Sequence, residues 1–323
     1  MSRFVTLGET MGLIRSERIG SLINNSAMAA GFGGAESNAA IALARLGNDV
    51  SWAGRVGDDD FGRLIERELT AERIATFGLR GSGPTGLMIK TTPFSGRQDV
   101  SYARNLSAGS ELNSGDIANK EIVESIETAD VLHLTGITLA ISASAREAAM
   151  TAVEIARSSD TLVSFDVNHR NKLWSADTAR VAYVELARKA DIVFAGFDEV
   201  RLLLNAKQEI DPRDVQTPLG HIADLGVRTP VIKEGTLGAW SLDGGETLHS
   251  PAVSVEAVDT VGAGDGFAAG FLDAIARGQT VSEALAQGTK VGAFACLTPG
   301  DWEGYPHREQ LDLLTNGAEA VTR

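Results

Sequence analysis

The sequence predicts an α/β fold in which helices cover both faces of a mostly parallel sheet. From residue 131 onward, short apolar stretches of strand length alternate with longer stretches of helical spacing. This alternation is typical of parallel sheets, because parallel strands need helical crossovers between them. Two earlier segments carry strand-like patterning outside the alternation and predict a second, smaller sheet. With 43% hydrophobic and 22% charged residues, the chain has ample material for a core.

The individual elements follow from local patterns along the chain. Short apolar runs predict strands at residues 4–8, 50–56, 131–135, 162–166, 192–195 and 230–233, and a hairpin at 239–242 and 247–250. Helical spacing predicts helices at residues 35–46, 61–74, 144–157, 178–189, 263–277, 281–297 and near 308–314. The acidic run at 58–60 is expected to cap the helix that follows it rather than to bind a metal.

The two strand-like segments predict a lid built into the larger domain. Residues 13–30 and 85–104 are polar and partly alternating, and residues 95–97 have the composition of a turn. We expect a core formed by residues 1–12, 31–84 and 105–323, with the two segments joined in one small sheet over the functional site. The alternative is a pair of ordinary surface hairpins.

Charge and cysteine content limit the classes of partner. A net charge of −14 is unfavourable for nucleic-acid binding, which needs a basic face. No run of 18 apolar residues is present, and the N-terminus lacks a signal-peptide pattern, so no membrane partner is expected. The single cysteine, Cys296, cannot form an internal disulfide and favours a reducing compartment. We therefore predict a cytoplasmic protein.

The most informative motif is a glycine-rich turn that leads into a predicted helix. Gly262, Ala263 and Gly264 precede Asp265 in the first helical turn. The first N–H groups of a helix lack internal partners and carry the positive end of the helix dipole, so they attract anions. A carboxylate beside such an anion hole suits phosphoryl transfer to a hydroxyl group. The alternative is a tight loop with an aspartate cap.

The longer segment 258–270 resembles the signature of the ribokinase-like (PfkB) family of carbohydrate kinases. The resemblance implies a three-layer sandwich with a mostly parallel central sheet and a small β lid. It also implies ATP and Mg²⁺ as cofactors. Asp265 would be the catalytic base, and the N–H groups that follow Gly262 would stabilise the transferred group.

A second glycine cluster, Gly33 and Gly34, precedes a predicted helix that carries Asn38. A dinucleotide-binding fingerprint is expected directly after the first strand, whereas this cluster follows the polar, strand-like segment 13–30. The cluster is therefore not interpreted as a dinucleotide site. In the family that the chain resembles, the corresponding glycines and asparagine lie against the sugar. Asn38 could instead make only a local bond at the helix start.

Polar residues follow the predicted strand at 162–166, at the sheet edge where ligands bind in such folds. Asp166 and Asn168 are candidates to hold a hydrated Mg²⁺ or to order the phosphates, and Arg170 is a candidate bridge between substrate and phosphate. The alternative is a capped loop with a surface arginine. This segment, with Leu173 and Trp174 after it, resembles the family members that phosphorylate 2-keto-3-deoxygluconate.

Tyr102 and Arg104 add to the resemblance to the family members that phosphorylate 2-keto-3-deoxygluconate. Those members carry a Tyr-Tyr-Arg segment that contacts the sugar acid, and in this chain Ala103 stands in the middle of the segment. An arginine meets a carboxylate through a two-pronged, charge-assisted bond, which a neutral sugar does not need. Arg104 and Arg170 therefore point to a sugar acid as substrate. The alternative is that Arg104 is a solvated strand residue.

The remaining candidates come from the resemblance. Glu199 matches the glutamate of the family's Asn-x-x-Glu motif and would help to hold metal, whereas Gly196 replaces the asparagine. The nucleotide side would include Lys233, Gly235, Gly238 and Thr289, together with Asn168, Gly262 and Gly264. The segment 300–306 resembles a C-terminal segment of the same subset and receives no chemical role.

Together, these resemblances imply a kinase that phosphorylates the C6 hydroxyl of 2-keto-3-deoxygluconate. The alternatives are a kinase of another sugar or nucleoside, a sugar-acid sensor without activity, and a dinucleotide oxidoreductase. No Gly-x₄-Gly-Lys-Ser/Thr loop is present, and the five histidines lack zinc spacing. Because lid sheets in the family often pair between subunits, a homo-oligomer formed through the lid is also expected.

Overall fold

The computed structural model describes residues 1–23, 27–94 and 97–314. The strands in these ranges are β1 (Arg3–Leu7), β2 (Met11–Ser16), β3 (Met28–Gly33), β4 (Asp49–Ala53), β5 (Ala75–Thr76), β6 (Leu87–Phe94), β7 (Arg97–Ala103), β8 (Val131–Thr135), β9 (Leu162–Asp166), β10 (Ile192–Ala195), β11 (Thr229–Lys233), β12 (Ala239–Asp243) and β13 (Glu246–Ser250). The helices are α1 (Ala35–Arg45), α2 (Asp60–Ala71), α3 (Ser114–Ile117), α4 (Lys120–Glu127), α5 (Gly136–Ile141), α6 (Ala143–Ser158), α7 (Ala176–Ala187), α8 (Phe197–Leu204), α9 (Gln216–Ala223), α10 (Ala263–Ala276) and α11 (Val281–Ala295).

A nine-stranded sheet forms the centre of the fold, in the order β13-β12-β11-β10-β9-β8-β1-β4-β5. Neighbouring strands from β11 to β5 pair in parallel, and the hairpin of β12 and β13 adds an antiparallel edge. The predicted mostly parallel sheet and its terminal hairpin are therefore confirmed. The parallel arrangement directs the carboxyl ends of β1, β8, β9, β10 and β11 to one edge, where ligands bind in such folds.

Helices pack on both faces of this sheet. Along β1, Phe4 and Val5 belong to different apolar clusters, because successive side chains of a strand point to opposite faces. The cluster around Val5 includes buried residues of α6 and α7, whereas the cluster around Phe4 includes buried residues of α1, α10 and α11. The structure therefore has the predicted three layers.

The two early insertions form one small sheet rather than separate surface hairpins. Its strand order is β3-β2-β6-β7, and β2 from the first insertion pairs in parallel with β6 from the second. The strands start at Met11, ahead of residue 13, and β3 continues to Gly33, beyond residue 30. Met11, Leu13 and Met88 form a small apolar cluster on its inner face. The predicted turn at 95–97 lies partly outside the described residues.

The helix predicted near 308–314 is wrong in kind and length. Only a single 3₁₀ turn, Arg308–Gln310, is present there. Arg308 donates to the carbonyl of Leu46 and to Asp273, so the segment follows the surface of the core.

The predicted cap at 58–60 is confirmed, because Asp59 accepts the N–H of Gly62 at 2.8 Å. Among the described residues, no helix combines the length and apolarity that a membrane crossing requires.

Candidate active site

A cleft of about 1190 Å³ lies between the small sheet and the carboxyl ends of the parallel strands. It gathers residues from distant parts of the chain, because the strand ends, the start of α10 and the inner face of the lid meet there. Sequence-predicted residues that line it are Gly33, Gly34, Asn38, Tyr102, Arg104, Asn168, Arg170, Glu199, Lys233, Gly235, Gly238, Gly262, Ala263, Gly264, Asp265 and Thr289. Asp166 is fully buried and contacts Lys233, which lines the cleft.

The start of α10 has the geometry of an anion hole. Gly262 precedes the helix with φ +79°, in the left-handed region that favours glycine. A Cβ on Gly262 would lie 1.8 Å from the carbonyl oxygen of Asp301, so a larger residue does not fit. The carbonyl of Gly262 accepts the hydroxyl of Tyr305 at 2.7 Å. These constraints hold the turn in place, and α10 directs its first N–H groups towards the cleft.

Asp265 is a buried carboxylate held by two amides. The Asn38 amide donates to Oδ2 at 2.9 Å, and the Asn168 amide donates to Oδ1 at 3.2 Å. Burial raises the pKa of Asp265 to about 6, although the bond from Asn38 and the charge of Lys233 act in the opposite direction. At neutral pH the group is still mostly ionised and can accept a proton.

Lys233, which is partly buried, forms an ion pair with the buried Asp166 beside the anion hole. The ammonium of Lys233 lies 2.6 Å from Oδ2 of Asp166, and a Cβ on Gly264 would lie 2.9 Å from the same ammonium. Burial acts to lower the pKa of Lys233, but Asp166 and Glu199 outweigh it, so the pKa lies above its usual value. A fixed positive charge therefore lies next to the turn that would receive a phosphate.

The two predicted metal ligands, Asp166 and Glu199, differ in whether their carboxylate oxygens already accept hydrogen bonds. Oδ1 of Asp166 is buried and has no hydrogen-bond partner, which fits a further ligand. Glu199 accepts the N–H groups of Gly196 and His169 at 2.8 and 2.7 Å. Burial, followed by the charge of Asp166, raises the pKa of Glu199. Within the described ranges, no three His, Cys, Asp or Glu side chains form a metal-binding group. Mg²⁺ often retains several waters, which suits a site with few protein ligands.

The paired glycines make room for other residues of the cleft wall. A Cβ on Gly33 would lie 2.2 Å from Oδ2 of Asp301, and one on Gly34 would lie 2.4 Å from the carbonyl oxygen of Glu9. Gly34 has extended backbone, so it is close contact rather than strain that requires glycine here. The space at Gly33 is therefore taken by an acidic side chain that also lines the cleft.

Arg104 contacts a carboxylate of the protein itself. Its guanidinium forms an ion pair with Glu9, whose side chain is 1% exposed, and it lies 5.8 Å from the ring of Tyr102. Glu9 also accepts the hydroxyl of Ser107. Arg104 is therefore a half-buried, fixed residue rather than a solvated one, and its Nε has no hydrogen-bond partner. Arg170, by contrast, is exposed and bonds only weakly to the carbonyl of His169, at 3.4 Å.

The predicted nucleotide side lies at the far end of the cleft. A short 3₁₀ turn after β11 begins at Gly235 and is followed by Gly238, with φ of +41° and +91° at the two glycines. A Cβ on Gly238 would lie 2.2 Å from the carbonyl oxygen of Ser250. Thr289, from α11, is buried and contacts the hydroxyl of Ser250 at 3.3 Å. These groups form a narrow wall of small residues.

Sequence reasoning assigned no role to several charged residues at or near the cleft, among them Glu9, Glu36, Lys90 and Asp301. Burial raises the pKa of both Glu36 and Asp301 to about 7. Glu36 accepts the hydroxyls of Thr135 and Thr138 at 2.8 and 2.6 Å, and the charge of Asp265 also acts to raise its pKa. Asp301 belongs to the segment 300–306, which the sequence marks only by resemblance. A charged residue inside an otherwise apolar or glycine-rich stretch was the available signal for Glu9 and Glu36.

The amino-acid sequence is similar to those of carbohydrate kinases, which agrees with the geometry of the cleft. A model of the pfkB family carbohydrate kinases matches residues 1–308. The chain is 35% identical over 326 residues to the 2-dehydro-3-deoxygluconokinase of Bacillus subtilis, covering 98% of this chain and 96% of the relative. It is 30% identical over 329 residues to the 2-dehydro-3-deoxygalactonokinase of Haloferax volcanii, covering 100% and 99%.

A solved structure has the same fold. It is the crystal structure of a proposed ribokinase II from E. coli in complex with ATP and Mg²⁺. It superposes with a TM-score of 0.86 at 24% identity, covering 97% of this chain and 99% of that one. Since the family model spans nearly the whole chain, the chain belongs to the PfkB family of carbohydrate kinases, enzymes that transfer a phosphoryl group to an alcohol group of a sugar.

Proposed function

We propose that the protein transfers a phosphoryl group from ATP, with Mg²⁺, to the C6 hydroxyl of 2-keto-3-deoxygluconate, also called 2-dehydro-3-deoxygluconate. The observation that carries the proposal is the position of Asp265. It is a buried carboxylate with a raised pKa, in the first turn of a helix whose N–H groups face the cleft. A base beside an anion hole is the arrangement that phosphoryl transfer to a hydroxyl requires.

In this mechanism the protein positions groups and stabilises charge. Asp265 accepts the proton of the attacking hydroxyl, and the amides of Asn38 and Asn168 hold both oxygens of its carboxylate. The N–H groups of Ala263, Gly264 and Asp265 stabilise negative charge on the transferred group, with Arg170 at the mouth of the cleft. The lid excludes water from the reacting atoms.

Mg²⁺ would neutralise part of the phosphate charge. Asp166, with its unpartnered oxygen, and Glu199 would hold the ion, Glu199 through bound water because its oxygens already accept two N–H groups. The nucleotide would lie against Asn168, Lys233, Gly262 and Gly264 beside Asp265, and against Gly235, Gly238 and Thr289 at the far end of the cleft.

The sugar would occupy the end of the cleft under the lid. Gly33, Gly34 and Asn38 border it from the core, and Tyr102 and Arg104 from the lid. Two arginines, Arg104 and Arg170, favour a substrate with a carboxylate. The similarity to a kinase of 2-dehydro-3-deoxygluconate supports the same class, and the similarity to a kinase of its galactonate counterpart makes the C4 epimer the main alternative.

A coupled assay of ADP release tests the proposal. The panel contains 2-keto-3-deoxygluconate, 2-keto-3-deoxygalactonate, fructose, ribose and a nucleoside. We expect 2-keto-3-deoxygluconate to give the highest kcat/KM and the neutral compounds to give values lower by about tenfold or more, because they offer Arg104 and Arg170 no carboxylate to bind. Preference for fructose or ribose would reject the sugar-acid assignment and leave the kinase assignment in place.

We also propose that two chains associate through the outer face of the lid. Ile14, Leu87 and Ile89 lie on that face and remain partly exposed, which leaves an apolar strip uncovered. A monomer in light scattering at working concentration would reject this proposal.

With one cysteine, half-buried at position 296, the chain also suits the reducing conditions of the cytoplasm.

A further inference from the structure

Lys90 joins the lid to the core inside the cleft. It lies on the inner face of β6, and its side chain is only 5% exposed. Its ammonium donates to Oδ2 of Asp259 and lies 3.7 Å from Oδ1 of Asp301. Both carboxylates belong to core loops that border the anion hole. An ion pair buried at this position therefore connects the small sheet directly to the phosphate-binding region.

Asp259 organises the loop that leads into the anion hole. Its Oδ1 accepts the N–H of Val261 at 3.0 Å, and its Oδ2 is 3.3 Å from the N–H of Gly300. The same carboxylate thus holds the residue before Gly262 and the start of the segment 300–305. Because Lys90 bonds to Oδ2, a change in the position of the lid acts on both loops at once.

Asp301 completes the link to Gly262. Its carbonyl oxygen lies against Gly262, and further along the chain Tyr305 approaches the same glycine, with its hydroxyl donating to the glycine carbonyl. Trp302, between them, donates from Nε1 to the carbonyl of Phe32 in β3 of the lid. The segment 300–305 is therefore held by the lid on one side and holds the anion-hole turn on the other.

The charges indicate what Lys90 does for the reaction. Asp259 and Asp301 are two buried acidic side chains beside a site that must receive a phosphate, and any negative charge that they carry repels a phosphate strongly in a poorly solvated site. The Lys90 ammonium is a cation that lies against both of them. With the ammonium in place, the border of the anion hole carries less negative charge and the Asp259 loop is fixed.

We propose that Lys90 is a positioning residue that couples sugar binding under the lid to phosphate binding at the anion hole. The inference rests on the proposed kinase function, and it adds a specific path between the two substrates. When the lid covers the sugar, Lys90 neutralises and fixes the Asp259 loop; when the lid moves away, the loop loses its counter-charge and binds phosphate poorly. Sugar and nucleotide must then bind with positive coupling, which is reciprocal.

Calorimetry with a non-hydrolysable ATP analogue and Mg²⁺ tests this coupling. The Kd of the analogue is measured with and without 2-keto-3-deoxygluconate for the wild type, Lys90→Met, Lys90→Arg and Asp259→Asn. We expect the sugar to tighten analogue binding in the wild type by about 5–150-fold. This factor should fall to about 1–3-fold in Lys90→Met and Asp259→Asn and should be largely retained in Lys90→Arg.

Turnover and a matched control complete the experiment. Lys90→Met should lower kcat at least about tenfold, while the Kd of the sugar alone changes less than about threefold. Arg97→Met is the control, because Arg97 lies in the same small sheet but forms an exposed ion pair with Asp99. If Lys90→Met does not fold, the double variant Lys90→Met/Asp259→Asn removes both charges and carries the same expectation.

The outcomes separate the two proposals. Wild-type coupling and wild-type kcat in Lys90→Met, or in the double variant, would overturn the role of Lys90. Coupling that is absent from the wild type would also overturn it, even with full kinase activity. A wild type that releases no ADP with any sugar of the panel would instead reject the proposed function, whatever the Lys90 variants do.

Discussion

The side-chain amide of Asn38 donates a 2.9 Å hydrogen bond to Oδ2 of Asp265, and so ties helix α1 to the first turn of helix α10. The carbonyl oxygen of the same side chain lies 3.4 Å from the N–H of Gly34. One side chain thus links the paired glycines on the sugar side to the candidate base. The candidate base and the proposed sugar-binding wall are therefore held in a fixed relation by the protein itself.

Replacing Asp265 with asparagine should remove the base and keep the shape of the site. We expect kcat to fall by about 10²–10⁴-fold, which is the usual contribution of a general base. The Kd of the sugar acid, measured by calorimetry, should change less than about threefold. Asp60→Asn, at a 99% exposed position at the start of helix α2, is the control and should leave both quantities unchanged. Near-normal turnover in Asp265→Asn would exclude Asp265 as the base.

The pH dependence of turnover should report the pKa of Asp265. The base must be ionised to accept a proton, so kcat/KM should fall as the pH drops through about 6, about tenfold per pH unit below it. Because the bond from Asn38 acts to lower this pKa, Asn38→Ala should move the acidic limb to higher pH. An acidic limb that stays near pH 4 in the wild type would contradict the raised pKa.

The sequence predicted the parts of the site that depend on local pattern. The turn at Gly262 and the carboxylate of Asp265 lie within one short segment, and the parallel strands carried their own periodicity. The ion pairs that fix the cleft depend on contacts between residues that are 95 positions apart for Glu9 and Arg104 and 169 apart for Lys90 and Asp259. Spacing carries no information about such pairs, since they form only when the lid packs on the core.

Arg104 is the clearest test of the sugar-acid assignment. Glu9 forms an ion pair with its guanidinium, and the residue also lines the cleft. Lysine cannot bond to Glu9 and to a substrate carboxylate with the same planar geometry. Arg104→Lys should therefore raise the KM for the sugar acid about 10–100-fold, in line with the loss of a charge-assisted bond. The KM for ATP should stay within about twofold.

Steady-state kinetics with both substrates varied provides the measurement. Arg97→Lys, an exposed arginine of the same small sheet, is the matched control and should leave both constants unchanged. Since Glu9 is buried and accepts from Arg104 and Ser107, Glu9→Gln should raise the same sugar KM without a change in the KM for ATP. An unchanged sugar KM in Arg104→Lys would remove this arginine from the substrate site.

Gly196 is the position where this chain departs from the motif of its family, and the structure leaves room for a side chain there. A Cβ would lie 3.5 Å from the carbonyl oxygen of Lys233 and 3.7 Å from Oε2 of Glu199, both ordinary contacts, and φ is −81°. Gly196→Asn should therefore change the free energy of unfolding by less than about 0.5 kcal/mol. An amide placed beside Glu199 should also lower the Mg²⁺ concentration needed for half-maximal activity.

Gly262→Ala is the contrasting substitution, because it combines a 1.8 Å clash with φ of +79°. It should lower both stability and kcat, since the turn cannot move without displacing Asp301.

Denaturant unfolding and a Mg²⁺ titration of ADP release measure the Gly196→Asn and Gly262→Ala variants side by side. A large loss of stability in Gly196→Asn would mean that the backbone at this position tolerates no side chain. An unchanged Mg²⁺ requirement in a stable Gly196→Asn variant would place the metal away from Glu199 and leave Asp166 as its proposed protein ligand.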